Sequence, residues 1–382
     1  MIDIYWSLQR ATPIVVLLLA LLVLITLAPG RVSASDAPVS LTDNQFRTGC
    51  PAHPSARGYS NMVYDWATGN AYLFGGTDHV GFVYSLFDVW SYNSFTQRWK
   101  LLVNSDTLFN AFQADDRVLD PQSKKVLIFS TFVNCDASGF CGVETWIYDI
   151  ATNTFENVAP AVQPSLRWGY RIAYDTQSKR AILFGGSDGY TGETLNDTWV
   201  YNFETNAWTE MQPATSPPPH HFAAMTYHPL ADRVILFGGY NIQADEYLND
   251  TWAYDYNSNT WTDLQPTTRP SARVYHTIAW DLWSNKIILF GGVSNVKLYE
   301  PVLDDSWAFD LKSNTWTKLK PKASPSARAW HAMVGTWTGP LLFGGGPTHD
   351  VFTDDDTWSY NSRAKKWEEI GVCKTKGKAG LQ

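Results

Sequence analysis

Reactive side chains are scarce in this sequence. Its 382 residues include four cysteines and eight histidines, and the histidines are scattered at His53, His79, His220, His221, His228, His276, His331 and His349. No Gly-rich phosphate loop precedes a helical pattern, and HExxH, GxSxG and close Cys/His ligand spacings are missing, so the common signatures of nucleotide, metalloprotease and hydrolase chemistry are absent. Positive charge is short as well. With 29 Lys+Arg against 37 Asp+Glu the formal net charge is −8, which gives no electrostatic footprint for nucleic acid. Lys374, Lys376 and Lys378 read as a solvated end. Long apolar runs are limited to one, Ile14 to Ile25, shorter than the roughly 20 residues that span a bilayer.

Aromatic residues are abundant, at 15% of the chain, and they are patterned. NDTWAYDYNSNTW, from Asn249 to Trp261, sets two tryptophans around an Asn/Asp/Ser turn. Copies occur as NDTWVYNFETNAW (Asn196 to Trp208), DDSWAFDLKSNTW (Asp304 to Trp316) and DDTWSYNSRAKKW (Asp355 to Trp367). Looser copies are FDVWSYNSFTQRW (Phe87 to Trp99) and VETWIYDIATNTF (Val143 to Phe155), where Phe155 takes the second aromatic place. Upstream of each stands an apolar run ending in Gly-Gly, at Gly76, Gly186, Gly239, Gly292 and Gly345, with Ser130-Thr131 in that register in the second unit. The spacings are 55, 55, 53, 53 and 53 residues, a sixfold repeat.

Each unit reads as four short strands joined by turn residues. A sheet apolar on both faces must pack against its copies until the ring closes, and the paired tryptophans fill the wedge between units. The pattern resembles the Kelch repeat of galactose-oxidase-type propellers from Pro54 to about Ile370. The resemblance implies an all-β, six-bladed β-propeller with four antiparallel strands per blade, with blades at about 54–103, 104–160, 164–213, 217–266, 270–320 and 325–370. Residues 1–34 read as a signal peptide, with small residues Val32-Ser33-Ala34 after the apolar run. The alternative is a membrane tether through residues 14–28. Residues 35–53 form a linker and 371–382 a tail. The expected location is secreted, or anchored and facing outside.

One set of residues stands out from the scaffold. At the start of the innermost strand, 18 residues before the first glycine, lie Arg57, Arg167, His220 and Arg273, with Arg328 in the shorter sixth unit and Phe112 in the second. An arginine here can bond the backbone of a neighbouring blade. Equally, guanidiniums ringing the channel mouth would bind an anionic ligand, with His276 and His331 beside them. Variable loops between strands two and three open on that same face. Galactose oxidase holds copper through histidines and a tyrosine cross-linked to cysteine. The cysteines here fall elsewhere, so the resemblance implies the fold without that activity, and no cofactor or metal is expected.

Continuing the repeat around the ring brings Cys50 and Cys373 to nearly the same link, predicting a Cys50 to Cys373 disulfide that clasps the first blade to the last. Cys135 and Cys141 would close a loop of the second unit. Two functions follow: an exported binding or protein-interaction scaffold whose protein or glycan ligand carries acidic groups, or a carbohydrate-active enzyme of the sugar-oxidase or sialic-acid-epimerase kind using the same mouth.

Overall fold

A computed structural model of the chain describes residues 52–78, 86–104, 116–133, 141–294, 302–348, 352 and 354–371. Residues 1–51, which include the expected signal segment, most of the linker and Cys50, lie outside the described residues, as do Phe112, Cys135 and Cys373. Every regular element among the described residues is a strand, and none of them forms a helix long and apolar enough to cross a membrane.

The strands make six antiparallel sheets, each of consecutive strands. Blade 1 holds β1 (Asn61–Asp65), β2 (Asn70–Phe74), β3 (Asp88–Asn93) and β4 (Arg98–Asn104). Blade 2 holds β5 (Arg117–Asp120), β6 (Lys125–Val133), β7 (Gly142–Asp149) and β8 (Thr154–Asn157). In blade 3 the short β9 (Arg167–Trp168) precedes β10 (Arg171–Asp175), β11 (Arg180–Asp188), β12 (Thr194–Asn202) and β13 (Ala207–Met211). Blade 4 comprises β14 (Ala224–His228), β15 (Arg233–Asn241), β16 (Glu246–Asp255) and β17 (Thr260–Asp263). Blade 5 comprises β18 (Thr277–Asp281), β19 (Lys286–Phe290), β20 (Ser306–Asp310) and β21 (Thr315–Lys318). Blade 6 ends the series with β22 (Ala332–Val334), β23 (Leu341–Phe343), β24 (Thr357–Asn361) and β25 (Lys366–Ile370). The innermost strands β1, β5, β10, β14, β18 and β22 touch in a closed ring, β22 against β1.

Second strands read as continuous apolar runs because both their faces are covered: Ile287, Leu289 and Phe290 are fully buried. Outer strands alternate. In β13, Trp208 is buried between exposed Ala207 and Thr209. That tryptophan packs on Phe129 of the preceding blade at 5.5 Å, as Trp261 does on Phe184 (4.9 Å), Trp316 on Phe237 (4.9 Å), Trp367 on Phe290 (5.3 Å) and Trp99 on Phe343 (5.2 Å). The second aromatic of each motif is thus the wedge between blades, and Trp99 closes the ring.

The glycine pair serves the same seams. The second glycine's N–H donates to a carbonyl at the start of the next blade: Gly186 to His220 (2.9 Å), Gly239 to Arg273 (2.9 Å), Gly292 to Arg328 (3.0 Å) and Gly345 to Arg57 (2.8 Å). At the first position the neighbouring backbone comes so close that a Cβ on Gly291 would lie 2.3 Å from the Arg328 oxygen, with φ at +65°. Blade 2 manages without the pair. Its β6 runs on through Ser130 and Thr131, and its register shift falls between Thr131 and Val133 instead of beside a glycine.

Candidate functional site

Each residue of the Asn-Asp-Thr-Trp motif makes its own contact. In blade 3 the Asn196 amide donates to Pro217 O (3.4 Å), Asp197 accepts from Arg167, Thr198 Oγ1 accepts the Trp261 indole N–H (3.0 Å), and Trp199 Nε1 donates to Asp197 (2.7 Å). The first tryptophan therefore orients the aspartate, and the threonine couples to the next blade.

The arginines at the start of strand one are held inside this network. Arg57, Arg167, Arg273 and Arg328 are 0 to 1% exposed. Arg273 forks onto Asp305 at 2.7 and 3.1 Å, gives Nη1 also to Gly291 O (2.9 Å), and bonds Ser271 through Nε and Nη2. Arg57 repeats this with Asp88 and Gly75, Arg167 with Asp197 and Gly185, and Arg328 with Asp356 and Gly344. Burial works to raise the pKa values of Asp305 and Asp356, but the arginine bonds and charge outweigh it and hold both carboxyls below their usual range. The expectation of an open ring of guanidiniums therefore needs correction: they brace their own blades, tying strand one to the start of strand three. It is their backbone carbonyls that serve the neighbouring blade.

His220 occupies the same place in blade 4. Its Nδ1 meets Pro218 O and its Nε2 lies 3.1 Å from Asp250 Oδ1, so it substitutes a shorter clamp. His276 and His331 lie in the seams, stacked edge-on to Phe237 (5.5 Å) and Phe290 (5.6 Å) of the preceding blades. Burial, aided by Arg273 and Arg171, pushes the His276 pKa well below its ordinary value. Burial, with Arg328, pushes His331 down to about 3, and its Nε2 sits 2.6 Å from Thr277 Oγ1. Neither imidazole has a carboxylate hydrogen-bond partner among the described residues.

What surrounds the mouth is aromatic. Two residues beyond each clamp stand Tyr59, Gly169, Phe222, Tyr275 and Trp330, all with positive φ. That left-handed step turns the side chains toward one another across blades. Phe222 meets Tyr275 at 4.4 Å, Tyr275 meets Trp330 at 5.1 Å, and Tyr59 meets Trp330 at 6.2 Å and Phe352 at 5.7 Å. Backbone bonds follow the same circle, from Phe222 N to Gly169 O, Trp330 N to Tyr275 O and Tyr59 N to Trp330 O. At the starts of the innermost strands, Asp116 accepts from Ile172 N (3.0 Å) and from the Asn61 amide, and burial raises its pKa. Beside it Arg171 gives Nη1 to Tyr170 O (3.0 Å) and Nε to Ala223 O. These groups escaped the sequence reading. The aromatic ring had a visible signal at clamp plus two; Asn61, Asp116 and Arg171 share one repeat position, 14 residues before the first place of the glycine pair, but had no signal because the residue type there changes from blade to blade.

The profile of the KLHDC2/KLHL20/DRC7 Kelch-repeats domain matches residues 171–380. Among curated relatives, Kelch domain-containing protein 1 of Homo sapiens is 30% identical over 230 residues, 53% of this chain and 52% of that protein. Kelch domain-containing protein 10 of Rattus norvegicus is 33% identical over 140 residues, 35% of this chain and 32% of the relative. The Rho GTPase-activating protein gacHH of Dictyostelium discoideum shares 28% over 159 residues, 41% of this chain but 10% of that protein. The aligned part is thus about half or less of each relative's length. With six four-stranded blades built from one motif, the chain belongs to the Kelch-repeat family of β-propellers.

Proposed function

We propose that the protein is a protein-interaction scaffold whose partner seats on the face of the two-to-three loops, over the aromatic mouth. The observation that carries this reading is the circle of Tyr59, Phe222, Tyr275 and Trp330, in which Tyr59 and Tyr275 remain partly exposed while the rest pack beneath them. Tyrosine presents a rigid apolar body with a polar tip, the side chain favoured at interface centres. With the guanidiniums bound to aspartates, recognition here is aromatic before it is ionic, and acidic groups on the partner are no requirement. The test uses the Tyr59→Gly/Tyr275→Gly double variant, since glycine already occupies this left-handed position at Gly169. A partner cross-linked by the parent chain should be lost by a variant that still melts cooperatively. Undiminished capture would overturn the reading.

The reading includes export. It rests on the apolar run Ile14 to Ile25 followed by Val32-Ser33-Ala34, and on Cys141, which is disulfide-bonded, a state that persists in oxidising compartments. Pairing of Cys141 with Cys135 and of Cys50 with Cys373 belongs to the same proposal. Peptide mapping without reductant and N-terminal sequencing of secreted material decide it; Cys50 linked to Cys141 would break the pairing scheme.

A further inference from the structure

The opposite face, formed by the one-to-two and three-to-four turns, is also built. At the seam of blades 6 and 1 lies a pocket of about 350 Å³, at the small end for a small-molecule site. Trp283 and Trp337, half and two-fifths exposed, stand on its rim. Both are pinned by their polar edges: Trp283 Nε1 donates to Trp337 O (2.8 Å) and Trp337 Nε1 to Trp66 O (2.7 Å). Trp66 meets Trp337 at right angles, with ring centres 5.3 Å apart. The Arg363 guanidinium lies 4.2 Å over the Trp283 ring, a cation–π contact beside the pocket it lines.

The pocket also contains a broken repeat rule. In blades 2, 3 and 4 the strand-three tyrosine donates to the asparagine of the following turn: Tyr148 to Asn153 (2.6 Å), Tyr201 to Asn206 (2.9 Å) and Tyr254 to Asn259 (2.8 Å). In blade 1 the asparagine is replaced by Gln97. The Tyr92 hydroxyl is buried without a hydrogen-bond partner among the described residues, and both Tyr92 and Gln97 line the pocket. A buried unpaired hydroxyl costs about 1–3 kcal/mol and calls for a reason. Asn361, Ser359 and Glu368 complete the polar lining.

We propose that this pocket binds carbohydrate, seating one pyranose ring with its C–H face on the exposed indole of Trp337 and its hydroxyls on Tyr92, Gln97 and Arg363. Sugar hydroxyls donate and accept at once, which suits a phenol, an amide and a guanidinium together. Proline-rich peptide is the other ligand that aromatic grooves take. There an indole N–H on the groove wall bonds the peptide carbonyl, and here both indole N–H groups are already engaged.

The experiment titrates the full chain with methyl β-glucopyranoside, methyl β-galactopyranoside, N-acetylglucosamine and glucuronic acid, read by saturation-transfer NMR and calorimetry. At least one sugar should receive saturation at its ring C–H protons. Trp337→Ala and Tyr92→Phe should each weaken that sugar about tenfold or more. Tyr92→Phe removes only an unpartnered hydroxyl, so it should fold and melt at or above the parent temperature. Gln97→Asn supplies the partner found in the other blades, so it should raise the melting temperature while lowering sugar affinity, two movements that a purely structural role would not couple. No saturation of any sugar, sugar binding unchanged in Trp337→Ala and Tyr92→Phe, or binding of a polyproline peptide in its place would overturn the proposal.

Discussion

The seam between blades 1 and 2 differs from the other five, and the difference shows what a repeat must keep. Elsewhere the outer tryptophan gives its indole N–H to a hydroxyl on strand three of the preceding blade: Trp208 to Thr145, Trp261 to Thr198, Trp316 to Thr251 and Trp367 to Ser306 at 3.0 Å, and Trp99 to Thr357 at 3.1 Å. Between blades 1 and 2 the acceptor place holds Val89 and the donor place Phe155, and the two join one apolar cluster with Phe74 and Tyr148. Both polar partners have gone together. Losing one alone would bury an unmet group; losing both leaves ordinary packing. Blade 2 also lacks the glycine pair, and Glu144 there takes the indole N–H of Trp146 at 2.8 Å. The fold therefore constrains matched sets of contacts rather than single residues.

The largest effect is expected where a seam depends on a clamp. Arg273→Ala would leave the largely buried Asp305 with only the Trp307 indole N–H and the distant Lys318 ammonium, and would release Gly291 O, costing about 3–5 kcal/mol. Urea unfolding checks this. A loss below about 1 kcal/mol would mean that the guanidinium is not a brace, and would return it to the role of ligand contact. The same substitution thus separates the two meanings that the sequence left open for these arginines.

A smaller effect sharpens the contrast directly. Phe155→Trp places an indole N–H opposite Val89 and should cost about 1–3 kcal/mol. Adding Val89→Thr rebuilds the pair seen at Trp208 and Thr145, so the double variant should recover most of the loss. The double-mutant cycle measures that coupling. Additive losses would show that the hydroxyl at the other five seams contributes nothing.

These variants also show what was legible in the sequence. The repeat length, the glycine pair and the two aromatic places were visible because each recurs at fixed spacing, and they led to blade number and ring order. The partner of each arginine was not. Asp305 lies 32 residues from Arg273, and no local pattern says that a recurring aspartate faces a recurring arginine instead of a ligand. The unpartnered Tyr92 could be found only by knowing that Asn153, Asn206 and Asn259 accept the equivalent hydroxyls. Asp116 and Arg171 were hidden because their position at the head of the innermost strand recurs while its residue type does not.

Acid should tell the seams apart. His331 and His221, with folded pKa values pushed down to about 3 and about 4, stay neutral in the folded chain while the unfolded chain takes up protons near its ordinary value of about 6.5. The unfolded state then binds more protons, so stability falls as pH drops from about 6.5 toward 4, with a slope of up to about 1.4 kcal/mol per pH unit for each histidine. The carboxyls of Asp305 and Asp356, held below their usual range, contribute stability above about pH 4 that is lost as pH falls through their folded values. Asp116, raised by burial, works the opposite way. Hydrogen exchange at pH 5 should quicken first in blades 4 to 6, where His221, His276 and His331 lie, before the seam of blades 1 and 2. Uniform quickening would remove the distinction.

The smallest expected change is a gain, and it concerns the one described clamp that is not an arginine. His220 reaches both Asp250 oxygens, at 3.1 and 3.2 Å, with a single ring nitrogen, whereas an arginine brings two nitrogens to them and also caps the first glycine's carbonyl. His220→Arg inserts the longer side chain into a site whose aspartate and Gly238 match the other blades in register, while Pro218 stands where the arginine-bearing blades carry the serine that accepts from the guanidinium. It should raise stability by about 1 kcal/mol, about 2 °C in melting temperature for a domain of this size. If it melts lower than the parent, the strap Pro217-Pro218-Pro219 has closed around the imidazole, and blade 4 has adapted its backbone to the shorter clamp as blades 1 and 2 adapted their seam to Val89 and Phe155.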